Sequence, residues 1–161
     1  MKNIILYISL FIISLVMFSC DNHKTYYEQL TNDKAIYNRV NDLNKSIATI
    51  RKEEKGKLIN EGLDKLKCEY SIGSSDRYII TYLFDEKGCY EIAFDGYFEK
   101  EEDTQNVVDG IKTEMSATNF ATPEEANNLC RWRNPDKSVW VELDYKDASR
   151  GILVITIQAN E

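Results

Sequence analysis

Apolar side chains recur every three or four residues between positions 36 and 66, the interval that places them on one side of a helix. The positions are Ile36, Val40, Leu43, Ile47, Ile50, Ile59, Leu63 and Leu66. Gly56 interrupts the pattern, because glycine disfavours the helix interior. The spacing therefore predicts two helices with a turn near Gly56, packed by their apolar sides on a sheet; a helix dimer is the alternative.

After Cys68 the chain becomes rich in β-branched and aromatic residues, which are typical of strands. Two such runs flank Asp85-Glu86-Lys87-Gly88, so these four residues are predicted to form the loop of a β-hairpin. This loop would place Phe84 opposite Cys89 and Leu83 opposite Tyr90. The side chains predicted to face the core are Ile79, Leu83, Tyr90, Ile92 and Phe94.

Helical spacing returns in residues 99–115, where an amphipathic helix is predicted with Asp103 or Thr104 as its N-cap. Its buried side chains would be Val107, Val108, Ile111 and Met115. A short helical turn is predicted at Thr122-Pro123-Glu124-Glu125, because proline is favoured at the first position of a helix.

The remaining chain predicts three strands, 129–133, 139–145 and 152–158, joined by turns at residues 134–137 and 146–150. The predicted order is α-α-β-β-α-β-β-β, an α+β fold with an antiparallel sheet of about five strands packed with helices. Residues 152–157 are apolar on both sides of the last strand. Helices on both sheet faces would explain this pattern; helices on one face only would leave the other available to a partner.

The N-terminus carries a different apolar pattern, a continuous run from Ile4 to Phe18 preceded by Lys2. A membrane-spanning helix needs about 20 apolar residues, so this shorter run suits a secretory signal better. Leu15-Val16-Met17-Phe18-Ser19-Cys20 resembles the lipobox of bacterial lipoprotein precursors, although Phe18-Ser19 is looser than the common Ala-Gly pair. The resemblance implies cleavage before Cys20 and a diacylglycerol on its sulfur. An uncleaved N-terminal anchor and a buried core helix are the alternatives.

This interpretation divides the chain into a lipoprotein signal peptide at 1–19, a lipidated tether at 20–31 and a single α+β domain at 32–161. The protein would then lie in the cell envelope, held to the membrane by acyl chains on Cys20, with the outer membrane favoured over the inner. Removal of residues 1–19 would change the net charge from −7 to −8, because they contain Lys2 and no acid. This negative charge argues against nucleic acid as a partner.

Export also changes the interpretation of the cysteines, because an oxidising compartment allows disulfides to form. With Cys20 acylated, Cys68, Cys89 and Cys130 remain. Three thiols allow at most one intramolecular disulfide. The alternative is that all three are buried as small apolar side chains.

Motifs for catalysis are sparse. The single histidine, His23, lies in the predicted tether, which argues against Ser-His-Asp and Cys-His sites. The sequence has neither a Cys-x-x-Cys pair nor a glycine-rich phosphate loop, so no metal site or cofactor is predicted. Carboxylates on predicted strands are the remaining possibility: two of Glu91, Asp95, Glu142 and Asp144 could meet as in a small hydrolase or sugar-binding protein.

The segment Cys130-Arg131-Trp132-Arg133 and the strand after it predict a binding surface. A turn at 134–137 would place Arg133 opposite Ser138 and Arg131 opposite Trp140, with Arg131, Arg133 and Trp140 on one face. Arginine and tryptophan are favoured in protein interfaces. Alternatively, Trp140 packs beneath a helix or covers Ile155 of the last strand. The sequence therefore favours a non-catalytic, lipid-anchored domain that binds another protein, of inhibitor, immunity or accessory-subunit type.

Overall fold

The computed structural model of the protein describes residues 24–31 and 34–160. The predicted signal peptide and Cys20 lie outside the described residues. Within them, no helix is both long enough and apolar enough to cross a membrane.

One antiparallel sheet of eight strands organises the described chain, in the order β1-β2-β3-β4-β8-β7-β6-β5. The strands are β1 (Lys57–Glu61), β2 (Lys65–Ile72), β3 (Asp76–Asp85), β4 (Gly88–Tyr97), β5 (Glu124–Ala126), β6 (Leu129–Arg133), β7 (Val139–Asp144) and β8 (Ile152–Ala159). The predicted mixture of helices with an antiparallel sheet is confirmed, but the sheet is larger than the predicted five strands.

The N-terminal helices are shorter than predicted. They are α1 (Tyr26–Leu30), α2 (Ile36–Arg39), which continues as a 3-10 turn (Val40–Asp42), and α3 (Ile47–Glu53). The long helical spacing is broken at Asn44, whose φ is 64° and whose N–H donates to the Cys89 carbonyl at 2.7 Å. Ile36 and Ile50 are buried as predicted. The break lets the chain pair with the start of β4.

The predicted second helix is wrong, because residues 57–72 form the β1–β2 hairpin instead. Of its three apolar positions only Leu66 is buried, whereas Ile59 is 42 % exposed and Leu63 is 101 % exposed. Leu66, Cys68 and Ile72 are buried and lie two and four residues apart. Such even spacings place them on one face of a strand, because strand side chains alternate between two faces. This alternation reflects the true structure, and the helical spacing was coincidental.

The predicted β3–β4 hairpin is confirmed, with Asp85 opposite Gly88 and Phe84 opposite Cys89. A bulge after Leu83 then places that residue opposite Glu91 rather than Tyr90. Ile92 and Phe94 are buried as predicted, but Ile79, Leu83 and Tyr90 are only partly buried. The side chains that β3 contributes to the core are Tyr78, Ile80, Tyr82 and Phe84.

The predicted amphipathic helix is α4 (Glu101–Ser116), and its four predicted core residues are all buried. Its N-cap is Lys100, so the predicted caps Asp103 and Thr104 instead lie in the first turn. The predicted turn at residues 122–125 is wrong, because Glu124 and Glu125 belong to β5.

All four helices pack on one face of the sheet. Leu30, Ile36, Ile50 and Val108 come from α1 to α4 in turn, and they share one core with Ile80, Phe94 and Ile155 of the sheet. The opposite face, called the open face below, is covered by no described helix. From β2 to β6 it carries Lys67 and Glu69; Arg77, Ile79, Thr81 and Leu83; Glu91, Ala93, Asp95 and Tyr97; Ile152, Val154 and Thr156; Trp140, Glu142 and Asp144; and Arg131 and Arg133.

Candidate functional site

Arg131, Arg133 and Trp140 lie together on the open face, as their alternation along β6 and β7 predicted. Their register differs from the prediction, because Arg133 is opposite Trp140 and Arg131 is opposite Glu142. The reason is a longer turn: the Asn134 N–H donates to the Val139 carbonyl at 3.0 Å, so Ser138 belongs to the loop. Trp140 is half-buried on the open face rather than beneath a helix.

Two contacts hold Arg131 in place. Its guanidinium carbon lies 5.1 Å from the centre of the Trp140 ring. Its Nε donates to Glu142 Oε2 at 2.8 Å, and a terminal nitrogen of the guanidinium donates to the same oxygen. An arginine that is already oriented loses little side-chain entropy when it contacts a partner, so the pair is suited to recognition.

A second stack lies on the same face: the Arg77 guanidinium carbon is 5.1 Å from the centre of the Tyr97 ring. The sequence pattern alone did not predict this second stack. The signal was the hairpin register, which places these two residues directly opposite each other.

Asp95 lies between these two stacks, on β4, and is opposite Ile79 on one side and Val154 on the other. Its half-buried carboxylate forms no hydrogen bond and no ion pair within 4 Å with any residue in the described part of the chain. Burial raises the pKa of Asp95 above its ordinary value, and the more distant charge of Lys67 opposes this shift. Asp95 is therefore an isolated charge in mainly apolar surroundings.

The four strand carboxylates all lie on the open face, and only Glu142 and Asp144 are close neighbours on it. Asp95 and Asp144 are two strands apart, about 10 Å, and Glu91 and Asp95 are four residues apart on one strand, about 13 Å. Glu142 and Asp144 are two residues apart on β7, about 7 Å, but Glu142 is paired with Arg131 and Asp144 with Lys146. Two cavities of about 320 and 340 Å³ lie at the end of the sheet that carries the β3–β4 and β6–β7 turns. Neither is lined by these carboxylates. None of these carboxylate pairs is both close and free of an ion pair, so the geometry does not support the predicted hydrolytic pair.

A buried polar network that the sequence analysis missed connects the N-terminal helices to the helix-covered face of the sheet. The Glu54 carboxylate accepts hydrogen bonds from Arg39 at 3.0 Å and from the hydroxyls of Tyr70 and Tyr82. Arg39 is 2 % exposed and also lies 5.4 Å from the centre of the Phe94 ring. Burial and the hydrogen bond to Glu54 raise the pKa of Tyr70 to about 12. These hydrogen bonds link α2 to β2 and β3 through Glu54, while Arg39 Nε is buried without a hydrogen-bond partner among the described residues.

Cys68, Cys89 and Cys130 are all free and buried. They lie on β2, β4 and β6, which are at least two strands apart, so their Cα atoms are separated by about 10 Å or more. A disulfide needs less than about 7 Å. Burial raises the pKa of Cys68 to about 11 and that of Cys89 to about 12, and it also raises that of Cys130. Protonated thiols are poor nucleophiles.

Comparison with known proteins gives no match: no family model, no curated protein and no solved structure is similar to this chain.

Proposed function

We propose that this protein is a lipid-anchored domain of the cell envelope that binds another protein through its open face, without catalysis. The proposal depends above all on one observation: helices cover one face of the eight-stranded sheet, and no described residue covers the other. An antiparallel sheet can keep one face in water, but such faces are normally polar. This one carries Ile79, Val154 and Trp140 among its charges.

The sheet edges are poorly suited to binding by strand addition, which favours the face. The outer strand β1 is irregular between Leu58 and Asn60 and begins with Lys57, both features that discourage pairing. The other outer strand, β5, has three residues, all exposed. Neighbouring strands are about 4.8 Å apart, so eight strands give the open face a surface area of several hundred Å². This is the scale of the area that one partner contributes to a specific interface.

The proposed anchor places the domain close to the lipid. Cys20 is four residues before Lys24, which corresponds to at most about 14 Å of extended chain. Helix α1 is attached to the domain by the Tyr26 ring, 6.0 Å from that of Phe98, and by the Tyr27 N–H, which donates to Asn106 at 3.1 Å. The strand ends near Phe98 would therefore face the membrane, with the open face standing beside it.

Cys20→Ala is expected to move the protein from the membrane fraction to the soluble fraction, because the acyl chains would be its membrane attachment. The measurement is fractionation of the native cell with detergent phase separation, together with the mass of the N-terminal peptide. Cys130→Ala, which leaves the proposed anchor intact, is the control. Membrane retention of Cys20→Ala at the wild-type level would refute the lipid anchor.

Trp140→Ala is expected to weaken partner binding by about tenfold or more, because it removes the ring that orients Arg131. The measurement is quantitative recovery of partner proteins from detergent-solubilised membranes on the tagged chain. Leu63→Ala is the matched control, since Leu63 is a fully exposed apolar residue in the β1–β2 turn. Equal recovery with both variants would argue against the open face as the binding surface.

A further inference from the structure

We propose that the partner places a lysine or arginine side chain on Asp95, at the centre of the open face. This inference rests on the proposed function and specifies the chemistry of the partner. It follows from the position of this carboxylate, from its lack of partners in the described part of the chain and from its surroundings.

Asp95 has a central position in the sheet. It lies on β4, the fourth of eight strands, with neighbours on both sides. Ile79 and Val154 flank it across the strands, and Ala93 and Tyr97 precede and follow it on the same face of β4. Residues at the centre of an interface contribute most to binding when a surrounding ring of side chains excludes water. These neighbours can form such a ring.

The basic residues nearest to Asp95 on the open face form no ion pair with it. Arg77 stacks on Tyr97, and Arg131 is held by Glu142 and Trp140. Lys67 acts on Asp95 at longer range and forms no ion pair with it within 4 Å. A carboxylate that is partly removed from water without a partner is unfavourable, and a cation from outside the chain would relieve this cost.

The charge of the whole chain supports the same partner. A net charge of −7 attracts basic proteins over long distances and repels acidic ones. A second copy of this chain fits less well. If two copies packed open face to open face about a two-fold axis, the residues at the centre of each face would lie near that axis. The two Asp95 carboxylates would then approach and repel each other. The proposed partner is therefore a different protein with an exposed basic side chain.

The test replaces Thr156 with a photo-crosslinking amino acid, in the full chain in its native cell. Thr156 lies on β8 opposite Ala93, which is two residues before Asp95 on the same face of β4. We expect one discrete adduct whose crosslinked partner peptide lies beside a lysine or arginine on the partner surface. The adduct yield should fall about tenfold or more with Asp95→Lys and also fall with Asp95→Asn. Glu86→Lys, the same charge change at the exposed tip of the β3–β4 hairpin, should leave the yield unchanged.

The outcomes separate this inference from the proposed function. An adduct that survives Asp95→Lys would overturn the basic contact while leaving binding by the open face intact. An adduct with the mass of two copies would overturn it in favour of self-association. Failure of the wild-type chain to form any adduct at Thr156 would overturn both proposals. Thermal unfolding of each variant checks that a lost adduct reflects lost contact; the Asp95 variants should unfold near the wild-type temperature, since Asp95 has no hydrogen bond or ion pair to lose among the described residues.

Discussion

Glu54→Ala is expected to lower the free energy of unfolding by about 3–5 kcal/mol, the range seen when one member of a buried charge pair is removed. The substitution leaves Arg39, which is 2 % exposed, without its carboxylate partner. It also removes the acceptor for the hydroxyls of Tyr70 and Tyr82. Urea denaturation followed by tryptophan fluorescence measures the loss.

The neighbouring residue provides the control for Glu54→Ala. Glu53 pairs with Lys45 at 2.8 Å, but its side chain is 51 % exposed, so Glu53→Ala should cost less than about 1 kcal/mol. The double variant Arg39→Met with Glu54→Met should lose less stability than Glu54→Ala, because it removes both charges of the pair and leaves neither buried alone. Similar losses for Glu53→Ala and Glu54→Ala would show that the network contributes little to stability.

Gly151→Ala is expected to destabilise the fold by about 2–5 kcal/mol. Gly151 joins the 3-10 turn Ala148–Arg150 to β8 with a φ of 75°, a conformation that costs other residues about 1–2 kcal/mol. A Cβ atom there would lie 1.8 Å from the Phe98 carbonyl oxygen, so the backbone would have to move. Overpacking of this kind adds about 1–3 kcal/mol. Chemical denaturation measures the sum.

Gly73→Ala separates the two contributions in Gly151→Ala. Gly73, between β2 and β3, has a φ of 62°, but nothing lies within 4 Å of the position its Cβ would occupy. This variant should therefore show the conformational cost alone, about 1–2 kcal/mol. If both variants lost the same stability, the close approach of Gly151 to Phe98 would have no energetic effect.

The elements that were predicted correctly are those whose signals are local. The β3–β4 turn follows from four consecutive residues ending in Gly88, and α4 from apolar spacing that agrees with its burial. The last three strands follow from β-rich runs separated by turn residues. Such signals depend on neighbouring residues and persist whatever the rest of the chain does.

The errors occurred where distant residues decide the structure. Residues 57–72 have both a helical and an alternating pattern, and pairing of β2 with β3 favours the strand. On β3, residues on both faces are apolar, so the choice between Ile79 and Ile80 for the core depends on which face the helices cover. The extra strand β5 exists because it pairs with β6, and its own three residues carry no strand signal.

The sequence by itself determined that Arg131 and Arg133 share one face, because side chains alternate along a strand. Trp140 lies on that face as predicted because the observed register differs from the predicted one by two residues, whereas a one-residue difference would have moved it to the other face. Only the tertiary structure decided that no described residue covers this face, that Asp95 at its centre has no ion pair with any of them, and that Arg39, Glu54 and Tyr82 meet in the core. These features join residues that are far apart in the chain, and their positions are set by the packing of all the helices on one side of the sheet.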